Sequence, residues 1–269
     1  MARAVIAMLT DFGTRDHYAG AIKGVMLSLC PDAALVDISH DIPPHDILTG
    51  ALELAACYRF FPAGTIFLAV VDPGVGSSRR GIAAEAGDYR FVAPDNGVLT
   101  AVFAETPPKR VVSLTERRYA RPTISRTFEG RDRFAPAAAW LARGAEVKAL
   151  GTAVRDYVRL DIPVAQQEGD RIAGCVLRVD RFGNLVTNIP RAMVERLAAR
   201  GPIRIAAGAT AVDSLVETYA GVAAGAICAL FGSTDHLEIA ENGGRASERL
   251  GLAAGAPVEV VSSSDAVLG

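Results

Sequence analysis

Five apolar runs in this chain stop at short segments rich in Asp, Gly and Asn, and these segments hold most of the residues able to do chemistry. They read T-D-F-G-T-R-D (10–16), V-D-P-G-V-G-S-S-R-R (71–80), V-A-P-D-N-G (92–97), T-F-E-G-R-D-R (127–133) and V-D-R-F-G-N-L-V-T-N (179–188). A strand exit needs a turn former, and Gly, Pro, Asn and Asp all serve. A charged carboxylate at nearly every exit exceeds what a turn requires. Carboxylates beside glycine-thinned backbone suit a polar, partly cationic small molecule. The pattern points to an enzyme site rather than a binding surface.

Each segment has a chemical reading and a plainer one. Asp11, at the end of the first strand, could accept hydrogen bonds from ribose hydroxyls. The plainer role, capping the following helix, fits Asp16 better. Asp72 precedes Arg79 by seven residues, and the glycines between would let the guanidinium fold back onto the carboxylate. An ordinary loop salt bridge is the equal alternative. Near Asp72, Glu129 could act as a general base, because neighbouring carboxylates favour a proton on one of them. Capping of the next helix accounts for Asp132 better than for Glu129. Asp180, Asn184 and Asn188 supply the donors and acceptors that read an adenine edge or an amino-acid amine, against the alternative of a β-turn at 182–184.

Other chemistries lack their signatures. G-V-G-S-S (74–78) is not a phosphate loop, so a nucleoside without phosphates fits better than ATP or NAD. The four histidines form no metal-binding spacing, and no G-x-S-x-G elbow occurs. Four cysteines (Cys30, Cys57, Cys175, Cys228) are far apart in apolar contexts, which predicts buried reduced thiols and a cytoplasmic setting. Net charge is -2 with dispersed basic residues, which argues against a nucleic-acid partner. The run 1–9 is too short for a signal peptide, and no stretch approaches a membrane span.

The elements that must position these residues follow from the apolar pattern. Ala4–Leu9 is a continuous apolar run, as in a central strand buried on both faces, Ala34–Ile38 reads as a second short strand, and Thr65–Val71 as a strongly apolar third. Helices are expected at Tyr18–Leu29, at Asp46–Tyr58 with Asp46 as cap, at Gly97–Phe103 and at Arg133–Arg143, with Trp140 in the core. A hairpin is expected at 81–92 around Gly87-Asp88. The alternation implies an α/β fold with a central, mostly parallel sheet. Residues 155–170 read as a crossing segment, and short β-branched runs then suggest a smaller, mostly antiparallel β-barrel-like domain. The expected domains are 1–160, an α/β nucleoside-binding domain, and 168–269, a C-terminal β domain.

The ordered set of motifs resembles the S-adenosyl-L-methionine (SAM) hydroxide adenosyltransferase family, the SAM hydrolases, whose relatives are the SAM-dependent fluorinase and chlorinase. The matching stretches are T-D-F-G-T-R-D-H-Y-A-G-A-I-K-G, V-D-I-S-H-D-I-P-P-H-D, V-V-D-P-G-V-G-S-S-R-R, A-P-D-N-G-V-L-T, T-F-E-G-R-D-R-F-A-P, V-D-R-F-G-N-L-V-T-N-I and L-E-I-A-E-N-G-G-R-A. The resemblance implies water attack on the 5′ carbon of SAM, no cofactor, and a homotrimer with SAM bound between subunits. It implies that Asp11 holds the ribose, that Asp72 and Arg79 belong to a water-activating Asp-Arg-His set, and that Asp180 and Asn184 bind the methionine amine. Ser233 and Thr234 would hold the methionine carboxylate, while Phe182 and Val186 would line the pocket. One position departs: where the family has His before the Gly of T-F-H-G-R-D, this chain has Glu129. Two carboxylates against one guanidinium would leave that corner net negative, repelling halide and tolerating water. The remaining readings are a SAM- or adenosine-binding protein with little turnover, and a halogenase.

Overall fold

The computed structural model describes residues 3–262, and the chain divides into two compact units, one running through Ile162 and one starting at Pro163. The first contains β1 (Val5–Thr10), α1 (Tyr18–Leu29), β2 (Ala34–Ser39), α2 (Ile47–Cys57), β3 (Ile66–Val70), β4 (Gly81–Ala86), β5 (Tyr89–Pro94), α3 (Thr100–Glu105), β6 (Pro108–Ser113), α4 (Ala135–Ala142) and β7 (Thr152–Ala153). They form one sheet in the order β2-β1-β3-β5-β4-β6-β7. Pairing is parallel from β2 to β5 and antiparallel from β5 to β7.

The unbroken apolar strands are explained by cores on both faces of this sheet. Ile6 and Met8 of β1, with Ile66 and Leu68 of β3, pack towards α1 and α4. Their neighbours Ala7, Leu9, Phe67 and Ala69 pack into the opposite core with Leu54 of α2 and Val102 of α3. Each large side chain fully buried this way contributes about 1.5–3 kcal/mol. Register then sets the site: Thr10 pairs with Val70, so the residues after β1 and β3 leave the sheet at the same end. Leu9 pairs with Ser39 on the other side, which brings His40 to Thr10. Carboxyl ends of adjacent parallel strands are where open α/β sheets bind ligands.

The second unit contains β8 (Gln166–Glu168), β9 (Arg171–Val179), β10 (Leu185–Pro190), α5 (Arg191–Ala198), β11 (Ile203–Ala207), β12 (Thr210–Val212), β13 (Ile227–Phe231), β14 (His236–Glu241), α6 (Ala246–Leu250) and β15 (Pro257–Ser262). Its strands run β12-β11-β15-β9-β10-β14-β13, all antiparallel, with β8 beside β9. A bridge from Leu215 to Ala229 of β13 brings the chain leaving β12 back to the far edge, giving a nearly closed, barrel-like sheet. Leu185, Ile189, Leu237, Ile239 and Val258 fill its interior.

Several local expectations need correction. Asp46 caps α2 through the Thr49 amide, but the N-cap of α1 is His17, with no side-chain cap, so Asp16 does not serve there. α4 starts at Ala135, preceded by a π-helical turn at Gly130–Phe134. Trp140 is half-buried, edge-on to Tyr119 with Arg143 over its face, and is not a core residue. Cys228 is buried, whereas Cys30, Cys57 and Cys175 are half-buried; burial and Glu53 push the Cys57 thiol up to about 11. Part of the crossing segment belongs to the first unit, since Val158 and Leu160 donate backbone N–H groups to Asp95 and Thr100. The ends of the expected domains, 1–2 and 263–269, lie outside the described residues.

Candidate active site

The loop from β3 to β4 carries Asp72 as its second residue and ends with Arg79 and Arg80. Gly76 sits at φ +79° with its Cα so close to the Arg126 carbonyl oxygen that a methyl group there would collide. A bare, left-handed residue therefore lets this loop lie against the stretch that leads into Glu129. Arg79 reaches in both directions. Its Nε donates to Asp72 Oδ1 at 2.8 Å, its Nη2 donates to Asp72 Oδ2, and its Nη1 donates to Glu129 Oε2 at 2.6 Å. The Asp72, Arg79 and Glu129 side chains are only 6%, 10% and 14% exposed, so this is not a solvated surface pair.

Two features hold Arg79 in place. The Phe134 ring lies 5.2 Å from the guanidinium carbon, in cation–π contact. Gly81, the first residue of β4, has no side chain to obstruct Phe134. Burial works against the charge of Arg79, but the hydrogen bonds and charges of Asp72 and Glu129 outweigh it and hold the guanidinium above its ordinary range. A further cation stands nearby, for Arg133 Nη2 is 3.8 Å from Glu129 Oε1. The corner thus has two carboxylates and two guanidiniums, and the net negative charge expected from the sequence is absent.

Glu129 is followed by the π-helical turn, a distortion frequent at functional sites. Asp132 within it is fully buried and takes no part in capping α4. Its carboxylate accepts from Arg131 Nε and Nη2, both at 2.8 Å, from Arg121 Nη1 at 3.1 Å and from the Ser125 amide at 2.9 Å. Burial opposes its ionisation, but Arg131, the Ser125 amide and Arg121 outweigh it and lower its pKa. Asp132 therefore anchors the 121–125 segment and fixes the turn that presents Glu129.

Asp11 belongs to a separate hydrogen-bonded set at the same sheet end. Its Oδ2 accepts the backbone N–H of His45 at 2.9 Å. His45 is at φ +70°, a conformation that costs a non-glycine residue about 1–3 kcal/mol. Thr10, just before Asp11, pairs with the buried His40 ring at 2.8 Å, and that ring also contacts Asp37 at 3.1 Å. These histidines bracket the Pro43-Pro44 turn and buttress Asp11. Nothing in the sequence spacing announced that, because the contacts depend on β1–β2 register. Among the described residues no group of three His, Cys, Asp or Glu side chains is arranged to hold a metal ion.

The remaining candidates lie in the second unit. Asp180 Oδ1 accepts from the amides of Phe182 and Asn184 at 2.9 and 2.8 Å, and Oδ2 accepts from Asn184 Nδ2 at 2.9 Å. The β-turn alternative is thus realised: Asp180 and Asn184 build the turn, and Phe182 is 72% exposed upon it. Val186 is buried on β10, directly across from Glu238 of β14. Glu238 is a buried carboxylate that sequence reasoning missed, 3.4 Å from the Tyr219 hydroxyl. Burial first, then Asp180, pushes its pKa up, against the pull of Arg178 and the Tyr219 hydrogen bond. Ser233 is exposed, and Thr234 Oγ1 is buried without a hydrogen-bond partner.

With this geometry in view, the comparisons with known proteins are decisive. Residues 6–151 match the SAM hydroxide adenosyltransferase N-terminal domain and residues 174–259 match its C-terminal domain. The chain belongs to the SAM hydroxide adenosyltransferase family. A Thermus thermophilus protein named (R)-S-adenosyl-L-methionine hydrolase is 39% identical, over 95% of this chain and 99% of that protein. One of the same name from Salinispora tropica is also 39% identical, over 96% and 97%. A fluorinase from Nocardia brasiliensis is 29% identical over 96% of this chain and 97% of its own. The crystal structure of an uncharacterized conserved protein from Thermotoga maritima superposes with a TM-score of 0.90 at 34% identity, covering 95% of this chain and 99% of that one.

Proposed function

We propose that the chain hydrolyses SAM to adenosine and L-methionine, and that its substrate is the (R)-sulfonium epimer for which its 39%-identical relatives are named. The observation that carries this reading is Arg79 gripping Asp72 and Glu129 together in a buried corner. A water oxygen attacks C5′ in line with the C5′–S bond. That bond breaks with its electron pair passing to sulfur, and the water proton passes to Glu129. The products are neutral methionine thioether, adenosine and one proton, so charge balances with the sulfonium consumed. Arg79 orients both carboxylates, so that Glu129 is held to take the proton released as water attacks. In-line positioning supplies most of the rate.

In the same reading, Asp11 holds the ribose hydroxyls, and Asp180 and Asn184 receive the methionine amine. Ser233 and Thr234 hold its carboxylate, and Phe182 and Val186 line the pocket. Residues 1–160 serve as the nucleoside-binding domain and 168–269 as the C-terminal β domain. We further propose a cytoplasmic homotrimer whose site is completed by a neighbouring subunit, with no cofactor and no nucleic-acid or membrane partner. Among the described residues no helix is long and apolar enough to cross a membrane.

The test is chromatography of purified protein with each sulfonium epimer in halide-free buffer containing oxygen-18 water. Equal adenosine and methionine, with label in the 5′-hydroxyl and preference for the (R) epimer, is the expected result. SAM binding without product would replace this reading with a binding protein, and a strict halide requirement would replace it with a halogenase.

A further inference from the structure

The proton-accepting atom of Glu129 can be identified from the hydrogen bonds around it. Glu129 Oε2 is taken by Arg79 Nη1 at 2.6 Å. Among the described residues Glu129 Oε1 has no hydrogen-bond donor, and the cation facing it is Arg133 Nη2, at 3.8 Å. That separation is beyond a direct hydrogen bond but short enough for one water, offset to the side, to meet both atoms. Arg133 is also incompletely satisfied. Its Nη1 donates to the Leu114 carbonyl at 2.9 Å, while its Nε–H is buried with no acceptor. The Leu114 contact anchors the guanidinium from behind, and Gly81 leaves room for its stem. The side chain comes from the turn that begins at Glu129, four residues on, so one helical turn presents both groups.

Resting on the hydrolase reading above, we propose that Arg133 is a positioning residue that seats the nucleophilic water on Glu129 Oε1. The water accepts an N–H from Arg133 Nη2 and donates one proton towards Oε1, leaving an oxygen lone pair for C5′. No bond to Arg133 forms or breaks. The second guanidinium also balances the extra carboxylate that Glu129 brings to the corner, so the site discriminates water from halide by this donor–acceptor seat rather than by net charge. A halide cannot donate to Oε1 and has no place there.

The experiment compares Arg133→Gln, Arg133→Lys and Arg133→Ala with the parent enzyme for SAM turnover, SAM binding by calorimetry and thermal unfolding. Arg133→Gln is expected to lower kcat by about 10-fold or more while the SAM Kd stays within about 2-fold, the signature of lost positioning. Arg133→Lys should recover part of the loss, and added guanidinium ion should revive Arg133→Ala. A kcat for Arg133→Gln within about 2-fold of the parent overturns the proposal. So does a loss that tracks thermal destabilisation and weakened binding with no rescue by Lys or guanidinium, because that would mark a purely structural residue. Absence of SAM hydrolysis by the parent enzyme would instead sink the hydrolase reading, and this inference with it.

Discussion

The bare Cα of Gly76 rests against the carbonyl oxygen of Arg126, and this contact brings the Asp72–Arg79 loop to Glu129. Two chain segments fifty residues apart thereby share one ion pair. Gly76→Ala combines a left-handed φ with a backbone collision, each unfavourable, and should cost about 1–3 kcal/mol. Urea unfolding would measure that cost. If the contact positions the catalytic corner, turnover should fall further than the stability loss explains, with adenosine formation reduced under conditions where the variant is fully folded.

The sequence resemblance implies a His at the position of Glu129, and among the described residues Glu129 Oε1 accepts no hydrogen bond. Glu129→Gln keeps the shape and an acceptor for Arg79 but removes the proposed base. Turnover should drop by about 10²–10⁴-fold, the usual worth of a positioned base, with SAM binding nearly intact. Glu129→His should retain activity. A Glu129→Gln variant as fast as the parent would show that the proton leaves by another route.

Much of this was legible in the sequence, for identifiable reasons. β1 and β3 read cleanly because strands buried on both faces cannot alternate, and α1 read cleanly because its apolar residues recur at helical spacing. The Asp72–Arg79 pair was legible because the six residues between them, two of them glycines, can close the loop on itself. α5 was missed: only Val194 and Leu197 are buried in a short, strongly charged helix, so its apolar stripe is narrow. β6, with an exposed Lys109-Arg110 step, was missed because its pattern is mixed. Arg133 could have been noticed as the i+4 neighbour of Glu129, but its buried, unpaired Nε could not. Nor could Asp132, which resembles a helix cap in sequence and is a loop anchor in space.

Asp11 accepts the His45 amide while that residue holds an unfavourable φ, so one carboxylate oxygen is committed to the scaffold, and in the proposed function the other holds the ribose. Asp11→Ala should therefore weaken SAM binding by about 10-fold or more, as expected when a charged hydrogen-bond acceptor is lost. Calorimetry reads that directly. Because Asp11 does not touch the Arg79 group, kcat at saturating SAM should change less than the affinity does. An unchanged Kd would remove Asp11 from the ribose site.

Glu238 gives a stability signature in the second unit. Burial and the charge of Asp180 raise its folded-state pKa, opposed by Arg178 and the Tyr219 hydroxyl. A group whose pKa is raised on folding binds its proton more tightly in the folded state. Its favourable contribution is therefore complete below its ordinary value of 4.5 and is lost as pH rises through the raised value. Above the raised value the chain carries a buried, ionised carboxylate at a cost. Glu238→Gln removes the charge and keeps the shape, so it should raise the Tm at pH 7 to 8 and change it little near pH 4. Thermal unfolding of both proteins across that range checks the sign. A difference in Tm that does not vary with pH would mean that Glu238 shapes the β14 face without titrating against Asp180.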